Sequence, residues 1–196
     1  MSNSQATRAQ AGVRSTSKLG MYQIVSGPKD GAFRAHAFVG AKAIGAVSAE
    51  SEELAIENIT AHLKQRIGAF ELERVEGLPE RDEYREALNA VEMESGAALV
   101  SALEEHLRRP EGVCVEILAQ RVRLPTPIVW DSYLKLSRRL ASLTGARPKP
   151  KEGVGKAITP ILLIADIAPA ENNDSALITL REAFAVAMAE RLKGLR

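Results

Sequence analysis

The pattern of apolar and polar residues changes along the chain, from a two-residue period near its beginning to three- and four-residue spacing later on. Between positions 33 and 38 the two faces of an extended chain would differ, with Phe33, Ala35 and Ala37 on one and Arg34, His36 and Phe38 on the other. This alternation is typical of a half-buried β-strand. The turn-forming residues 27–31 separate it from an apolar stretch that begins at Met21, which predicts a β-hairpin. A third short strand is predicted over residues 44–47.

A helix is predicted directly after these strands. Residues 48–53, SAESEE, contain a serine suited to cap a helix and acidic residues suited to the positive end of its dipole. Apolar residues then recur on one helical face: Ile56, Ile59, Leu63 and Ile67. Since this stripe needs an apolar partner, it is predicted to pack on the preceding sheet. Residues 20–70 are therefore predicted to form a β-β-β-α domain.

The remaining domain, residues 78–196, is predicted to be mainly helical. One helical region extends over residues 80–109, with Gly96 at a kink or a boundary between two helices, and a final helix extends over residues 173–195. The apolar run 158–168 suits either a buried strand or a short core helix. The predicted fold class is α+β: a small three-stranded antiparallel sheet with a helix, followed by a mostly α-helical half with a helix-turn-helix-like hairpin.

Composition and charge add an asymmetry to this picture. The 196 residues are 45% hydrophobic and 26% charged, which is ordinary for a folded protein. Residues 1–19 contain almost no large apolar side chains, and we predict that they form a flexible basic arm. The net charge of +1 conceals 15 acidic and 5 basic residues in the block 50–107, and 11 basic and 4 acidic residues in the block 108–156. These blocks either neutralise each other or present two surfaces of opposite sign.

The string GAVSAESEELAIENI, residues 45–59, adds a family resemblance. With the strands before it, residues 21–63 resemble the N-terminal domain of HicB-like antitoxins, in which a three-stranded sheet leads into a helix that opens with a Thr/Ser-x-x-Glu-Ala type sequence. The resemblance implies an antitoxin-like role, and no family is recognised for the rest of the chain. The same order of elements also resembles a double-stranded-RNA-binding domain. There, however, Glu52 and Glu53 replace paired lysines and would repel phosphate.

Residues 113–144 have the pattern of two helices joined by a tight turn. The first helix is predicted over residues 113–122, and the turn over residues 123–126, with Thr126 as the cap of the second helix and Pro127 at its first position. The second helix has an apolar stripe at Val129, Tyr133, Leu136, Leu140 and Leu143. Its opposite face carries Asp131, Lys135, Arg138 and Ser142, with Arg139 beside them. An exposed basic surface is predicted.

This hairpin resembles a helix-turn-helix, whose second helix enters the major groove of DNA while flanking basic residues hold phosphates. The predicted nucleic-acid-binding residues lie in the turn, on the second helix and just beyond it. They are Arg121, Arg123, Thr126, Lys135, Arg138, Arg139, Arg147, Lys149 and Lys151. The leading hypothesis is a non-enzymatic, small DNA-binding regulator of the antitoxin or repressor type.

Two alternatives stay open on the sequence. In the first, the element is a plain helical hairpin whose arginines pair with the acidic residues of 71–94. In the second, the protein is an adaptor or inhibitor that binds a protein partner through this acidic surface and binds no nucleic acid. The sequence specifies neither a target nor a partner, and it is compatible with a homo-oligomer.

Residues for enzyme chemistry are few and scattered. His36, His62 and His106 fall in three different predicted elements, each without a cysteine or histidine at metal-ligand spacing. Cys114, the single cysteine, excludes an internal disulfide and is predicted to be a buried, inert thiol. No metal or other cofactor is expected. The longest uncharged apolar run, 157–165, is too short to span a bilayer, so a cytoplasmic protein without a membrane partner is expected.

Overall fold

The computed structural model describes residues 14–91, 96–151, 155–169 and 176–194. The predicted flexible arm lies mostly outside the described residues, since the description begins at Arg14. The mixed α and β character that the sequence predicts is confirmed, but the strands are more numerous than predicted.

The first sheet has four antiparallel strands in sequence order, one more than predicted. They are β1 (Ser15–Leu19), β2 (Tyr22–Lys29), β3 (Ala32–Val39) and β4 (Lys42–Ala49). The predicted hairpin between β2 and β3 is confirmed, with a turn of only two residues, Asp30 and Gly31. Both have positive φ angles, 53° and 78°, as the turn type that matches strand twist requires. The prediction of three strands was therefore wrong.

The strand that the sequence did not predict, β1, belongs to the segment that was predicted to be a flexible arm. Its residues Ser15–Leu19 pair along their whole length with β2, from Ser15 opposite Ser26 to Leu19 opposite Tyr22. Most of its side chains are exposed, so there is little apolar burial for a sequence pattern to reveal. Backbone hydrogen bonds to the neighbouring strand order the segment instead.

A long helix, α1 (Glu52–Glu73), covers one face of this sheet. The predicted serine cap is confirmed at Ser51, whose hydroxyl accepts a hydrogen bond from the backbone N–H of Leu54 at 3.2 Å. Ile59 and Leu63 are buried against the sheet, where they meet Ala35 and Ala37 from β3. The alternation predicted for β3 is thus confirmed, because its odd positions 35 and 37 face the helix.

The second half contains helices and a second, three-stranded sheet, which the prediction of a mainly helical region 78–196 did not include. The helices are α2 (Arg81–Asn89), α3 (Ala97–Leu107), α4 (Val115–Val122), α5 (Thr126–Thr144) and α6 (Glu182–Lys193). The strands are β5 (Val113–Cys114), β6 (Ala165–Pro169) and β7 (Ala176–Leu180), with β7 in the middle. Gly96 precedes α3, so the boundary predicted at this residue is confirmed.

The second sheet corrects two local predictions in this half and decides one that the sequence leaves open. The chain at Val113–Cys114 is a strand instead of a helix start, and the described part of the predicted final helix begins as strand β7. The open choice for residues 158–168 resolves into a short 3-10 helix, Thr159–Leu163, followed by β6. The spacing of Leu177 and Leu180 suits a helix, but pairing on both sides of β7 satisfies its backbone as a strand.

The first sheet approaches α2 closely at Gly40, in the turn between β3 and β4. Gly40 has a φ of 55°, and a Cβ atom there would lie 2.1 Å from the carbonyl oxygen of Asn89. Gly31 has a similar positive φ, 78°, but a Cβ atom there would meet nothing within 4 Å. Gly40 and Gly31 therefore share a left-handed backbone conformation, but only Gly40 is packed closely against another element.

We expect Gly40→Ala to lower the free energy of unfolding by about 3–4 kcal/mol, since it combines a left-handed backbone with a clash against a fixed carbonyl. Gly31→Ala, the matched control, has only the conformational cost and should lose about 1 kcal/mol. Urea denaturation of the two variants measures the difference. Equal losses would contradict the close approach of the turn to α2.

Candidate nucleic-acid interface

The turn between α4 and α5 is closed by backbone geometry at Arg123. This residue is left-handed, with a φ of 57° and a ψ of 43°. Its N–H donates to the carbonyl of Gln120 at 3.2 Å, and the N–H of Leu124 donates to the carbonyl of Ala119 at 2.9 Å. This is the Schellman ending, which usually places glycine at the left-handed position. Arg123 thus takes the conformation of the glycine common in such turns, at a conformational cost.

The second helix begins one residue earlier than predicted. Pro125 occupies the cap position and Thr126 is the first helical residue, so the prediction of Thr126 as the cap was wrong. Pro125 and Pro127 are exposed and fix the backbone at the helix entrance, where their missing N–H groups leave nothing unsatisfied inside the helix. Thr126 itself is half-buried.

The buried face of α5 is the one that the sequence predicts. Val129, Tyr133, Leu136 and Leu140 are at most 3% exposed, and Leu143 is half-buried. Behind this face, the hydroxyl of Tyr133 lies 2.8 Å from Nδ1 of His106. Nε2 of His106 lies 3.0 Å from the carbonyl oxygen of Ile178 on β7, which only accepts. This network ties α5 to α3 and to the second sheet.

Burial lowers the pKa of His106 from 6.5 to about 4, and the hydrogen bond to the carbonyl of Ile178 opposes this shift. The imidazole is therefore neutral at physiological pH, with its proton on Nε2 and with Nδ1 accepting from Tyr133. Burial also raises the pKa of Tyr133. Both side chains stabilise the helix packing and are removed from solvent, so neither is placed for acid or base catalysis.

The opposite face of α5 is exposed, as predicted. It carries Asp131, Lys135, Arg138, Arg139 and Ser142. Lys135 lies one helical turn before both arginines, so the three cationic side chains are neighbours on the helix surface. Its ammonium group lies 2.7 Å from the carboxylate of Asp131, but both side chains are more than half exposed. Such a pair contributes only about 0.3–0.5 kcal/mol and can exchange for a phosphate contact.

The eight basic residues among the predicted contacts divide into paired and unpaired groups. Three of them form ion pairs: Arg121 with Glu105 at 3.3 Å, Lys135 with Asp131, and Lys151 with Asp166 at 3.8 Å. Within the described ranges, the other five form no ion pair with a carboxylate. These five, the unpaired cations, are Arg123, Arg138, Arg139, Arg147 and Lys149, and all are exposed.

Three of the described carboxylates of 71–94 form ion pairs, all with arginines outside the hairpin, and none of the described ones pairs with a hairpin arginine, so the pairing that this alternative predicts is not found among the residues that the structure covers. Glu83 pairs with Arg74, and Glu86 pairs with Arg66. Asp82 pairs with Arg85 on its own helix. The block is thus neutralised partly by arginines of its own segment, which leaves the hairpin cations available.

Beyond α5 the predicted contacts differ in their surroundings. Arg147 is exposed just after Gly145, which ends the helix with a φ of 73°. Lys149 and Lys151 line a depression of about 420 Å³ together with the carboxylates of Glu76 and Asp166. Arg147 therefore lies exposed at the end of α5, whereas the two lysines lie beside negative charge. The structure does not gather all nine predicted residues into one site.

Other chemistry-bearing side chains are dispersed. His36 lies on β3, His62 on α1 and His106 in the core, while Cys114 is half-buried on β5. In the part of the chain that the structure describes, no group of three histidine, cysteine or carboxylate side chains is arranged to hold a metal ion. Across the same residues, no helix has the length and apolarity needed to cross a bilayer.

Comparison with protein-family models, with curated proteins and with solved structures gives no match to this chain. The resemblance of residues 21–63 to HicB-like antitoxins is neither supported nor contradicted and stays a prediction.

Proposed function

We infer that the protein is a non-enzymatic DNA-binding regulator that contacts the phosphate backbone of duplex DNA through α5 and its two ends. The observation that carries this proposal is that four of the unpaired cations, Arg123, Arg138, Arg139 and Arg147, lie on α5 or at its two ends, while Lys149 is left out because it lies beside the carboxylates of Glu76 and Asp166. Cations without carboxylate partners have their full charge available to replace the counterions that surround DNA. The helix of 19 residues is about 28 Å long and can follow several phosphates.

The distribution of side chains on α5 favours backbone contact over base reading. In a helix-turn-helix, the first residues of the second helix reach the base edges. Here these positions are occupied by Thr126, Pro127, Ile128 and Asp131, which include no arginine, lysine, asparagine or glutamine. Those are the residue types that form paired hydrogen bonds with guanine or adenine. The cations lie further along the helix, so binding should show little sequence preference.

The experiment is a titration of a fluorescently labelled, random-sequence duplex with the full chain at low salt, followed by anisotropy. We expect saturable binding that an unlabelled duplex of unrelated sequence displaces equally well. Absence of binding at about 50 mM salt, where phosphate contacts are strongest, would contradict the proposal.

Arg123 has two properties that can be tested with one substitution, Arg123→Gly: its charge and its left-handed backbone conformation. We expect the free energy of unfolding to rise by about 1 kcal/mol, because glycine adopts a positive φ without strain. Duplex binding should weaken about fivefold to tenfold, because one phosphate contact is lost. Arg123→Lys, which keeps charge and strain, should change both quantities little. Stabilisation without weaker binding would show that Arg123 makes no contact with DNA.

One observation favours the second candidate function, a protein-binding adaptor that acts through its acidic segment. Leu72 is 89% exposed and Val75 is 63% exposed, and both lie among the exposed carboxylates of Glu71, Glu73 and Glu76. Large apolar side chains exposed at a charged surface are typical of protein interaction sites. This candidate predicts no salt-dependent binding of the chain to duplex DNA.

A further inference from the structure

The face of the first sheet that α1 does not cover forms a second positive surface, built from residues of the first sheet and of the segment before it. Strand alternation places one set of side chains toward α1 and the other set on this open face. His36 lies opposite Val25, Phe38 opposite Gln23, and Arg34 opposite Gly27. All described residues of this face are exposed or half-buried.

Two rings form the centre of the open face. His36 and Phe38 occupy alternate positions of β3, and their rings stack with centroids 6.0 Å apart and planes inclined by 27°. Together with Val25 they line a shallow depression of about 230 Å³. Flat rings at a partly exposed depression provide a surface on which another flat ring can stack.

Cations surround these rings. Arg14, Lys29 and Arg34 line the same depression, which has no carboxylate in its lining, and Lys18 lies on the same face opposite Gln23. None of the four forms an ion pair with a described carboxylate. In the sequence, the acidic residues nearest to these strands are Asp30, in the turn between β2 and β3, and Glu50, just beyond the end of β4.

The electrostatic environment of His36 agrees with this charge distribution. Burial contributes most to lowering the pKa of His36, and Arg34, Lys29 and Arg14 lower it further by repulsion. In addition, Nε of Arg34 is buried without a hydrogen-bond partner among the described residues. A buried donor without an acceptor is costly, and a rotation of the Arg34 side chain that brings Nε to an anionic oxygen on this face would satisfy it.

We propose that this open face binds single-stranded nucleic acid, with bases stacked on Phe38 and His36 and with phosphates held by Arg14, Lys18, Lys29 and Arg34. A single strand exposes base faces for stacking, whereas a duplex keeps its bases paired and stacked inside. Four strands span about 14 Å, which is room for two or three bases. An acidic peptide would match the cations but would leave the stacked rings without a flat partner.

The test is anisotropy of labelled oligothymidylate with the full chain and with Phe38→Leu, which keeps apolar bulk but removes the ring. We expect Phe38→Leu to bind the oligonucleotide about tenfold more weakly than the wild type and to bind duplex DNA with unchanged affinity. The double variant Arg14→Ala/Lys29→Ala changes two exposed positions and leaves the core intact. It should also bind the oligonucleotide more weakly, and the salt dependence of that binding should fall. Thermal unfolding of each variant verifies the fold.

The double variant Arg138→Glu/Arg139→Glu distinguishes this surface from α5. It should weaken binding of oligothymidylate only a few-fold, through the general field of the protein, whether or not the chain binds duplex DNA. The proposal is overturned if the chain does not bind oligothymidylate at low salt, or if Phe38→Leu binds it as tightly as the wild type. Equal loss through the α5 variant would assign single-strand binding to the hairpin, and tighter binding of oligoglutamate than of oligothymidylate would assign the face to an acidic protein.

Discussion

Replacing both Arg138 and Arg139 with glutamate is expected to weaken binding of duplex DNA at least about 100-fold near physiological salt. The two side chains are exposed, adjacent on α5 and free of ion pairs with the described carboxylates. Each substitution removes a phosphate contact and adds a repulsive charge at the same place. The free energy of unfolding should change by no more than about 0.5 kcal/mol, since neither guanidinium group takes part in the core.

The matched control is Lys64→Glu/Lys193→Glu. It makes the same change in net charge at two exposed lysines on α1 and α6, away from the hairpin. We expect this control to weaken binding only a few-fold, through the general field of the protein. If both double variants lose affinity equally, binding depends on net charge alone and the role assigned to α5 is contradicted. Anisotropy titrations at one salt concentration measure all three proteins.

The second large effect is expected at a buried ion pair that holds the first half of the chain to the second. Arg74 directly follows α1, and its guanidinium donates to both carboxylate oxygens of Glu83 on α2, at 2.5 and 3.0 Å. It also donates to the carbonyl of Thr144 at the end of α5, at 2.6 Å. The side chains are 10% and 2% exposed, so water screens the pair little.

Glu83→Leu should therefore lower the free energy of unfolding by about 3–5 kcal/mol, because it leaves a buried guanidinium without a counter-charge. Arg74→Met/Glu83→Leu removes both charges and should be more stable than Glu83→Leu alone. Urea denaturation of the wild type, both single variants and the double variant gives the coupling free energy. Additive losses would contradict the account of this pair as a buried, mutually dependent contact.

The hairpin could be predicted from sequence because its determinants are local. The four- and three-residue spacing from Val129 to Leu140 specifies which face of α5 is buried, and the opposite face follows from helix geometry. The buried face of β3 could be predicted for the same reason, because its two-residue period assigns Ala35 and Ala37 to the core.

The missed elements depend on partners that are distant in the sequence. Strand β7 is a strand because it pairs with Val113–Cys114 on one side and with Ala165–Pro169 on the other. Charge pairing is non-local in the same way: Arg66 pairs with Glu86, 20 positions away in the chain, and Arg81 pairs with Glu190, 109 positions away. Counting charges along the chain shows an excess of basic residues in one block, but it does not show which of them form ion pairs. The three-dimensional structure is needed to distinguish the unpaired cations from Arg121 and Lys151, which are paired.

The open sheet face was missed for a related reason. Its rings and cations come from β2, β3 and the segment before β1, and that last segment was predicted to be a flexible arm. The alternation in β3 indicates that Arg34, His36 and Phe38 share a face, but only the four-strand register places Arg14 and Lys29 around the same depression.

The salt dependence of duplex binding tests most directly whether the unpaired cations contact phosphate. The dissociation constant of the wild type for a random-sequence duplex should be measured between about 50 and 200 mM salt. Four phosphate contacts predict a slope of about −3 to −4 in a plot of the logarithm of affinity against the logarithm of salt concentration. A slope between zero and about −1, or no binding at the lowest salt concentration, would contradict the account.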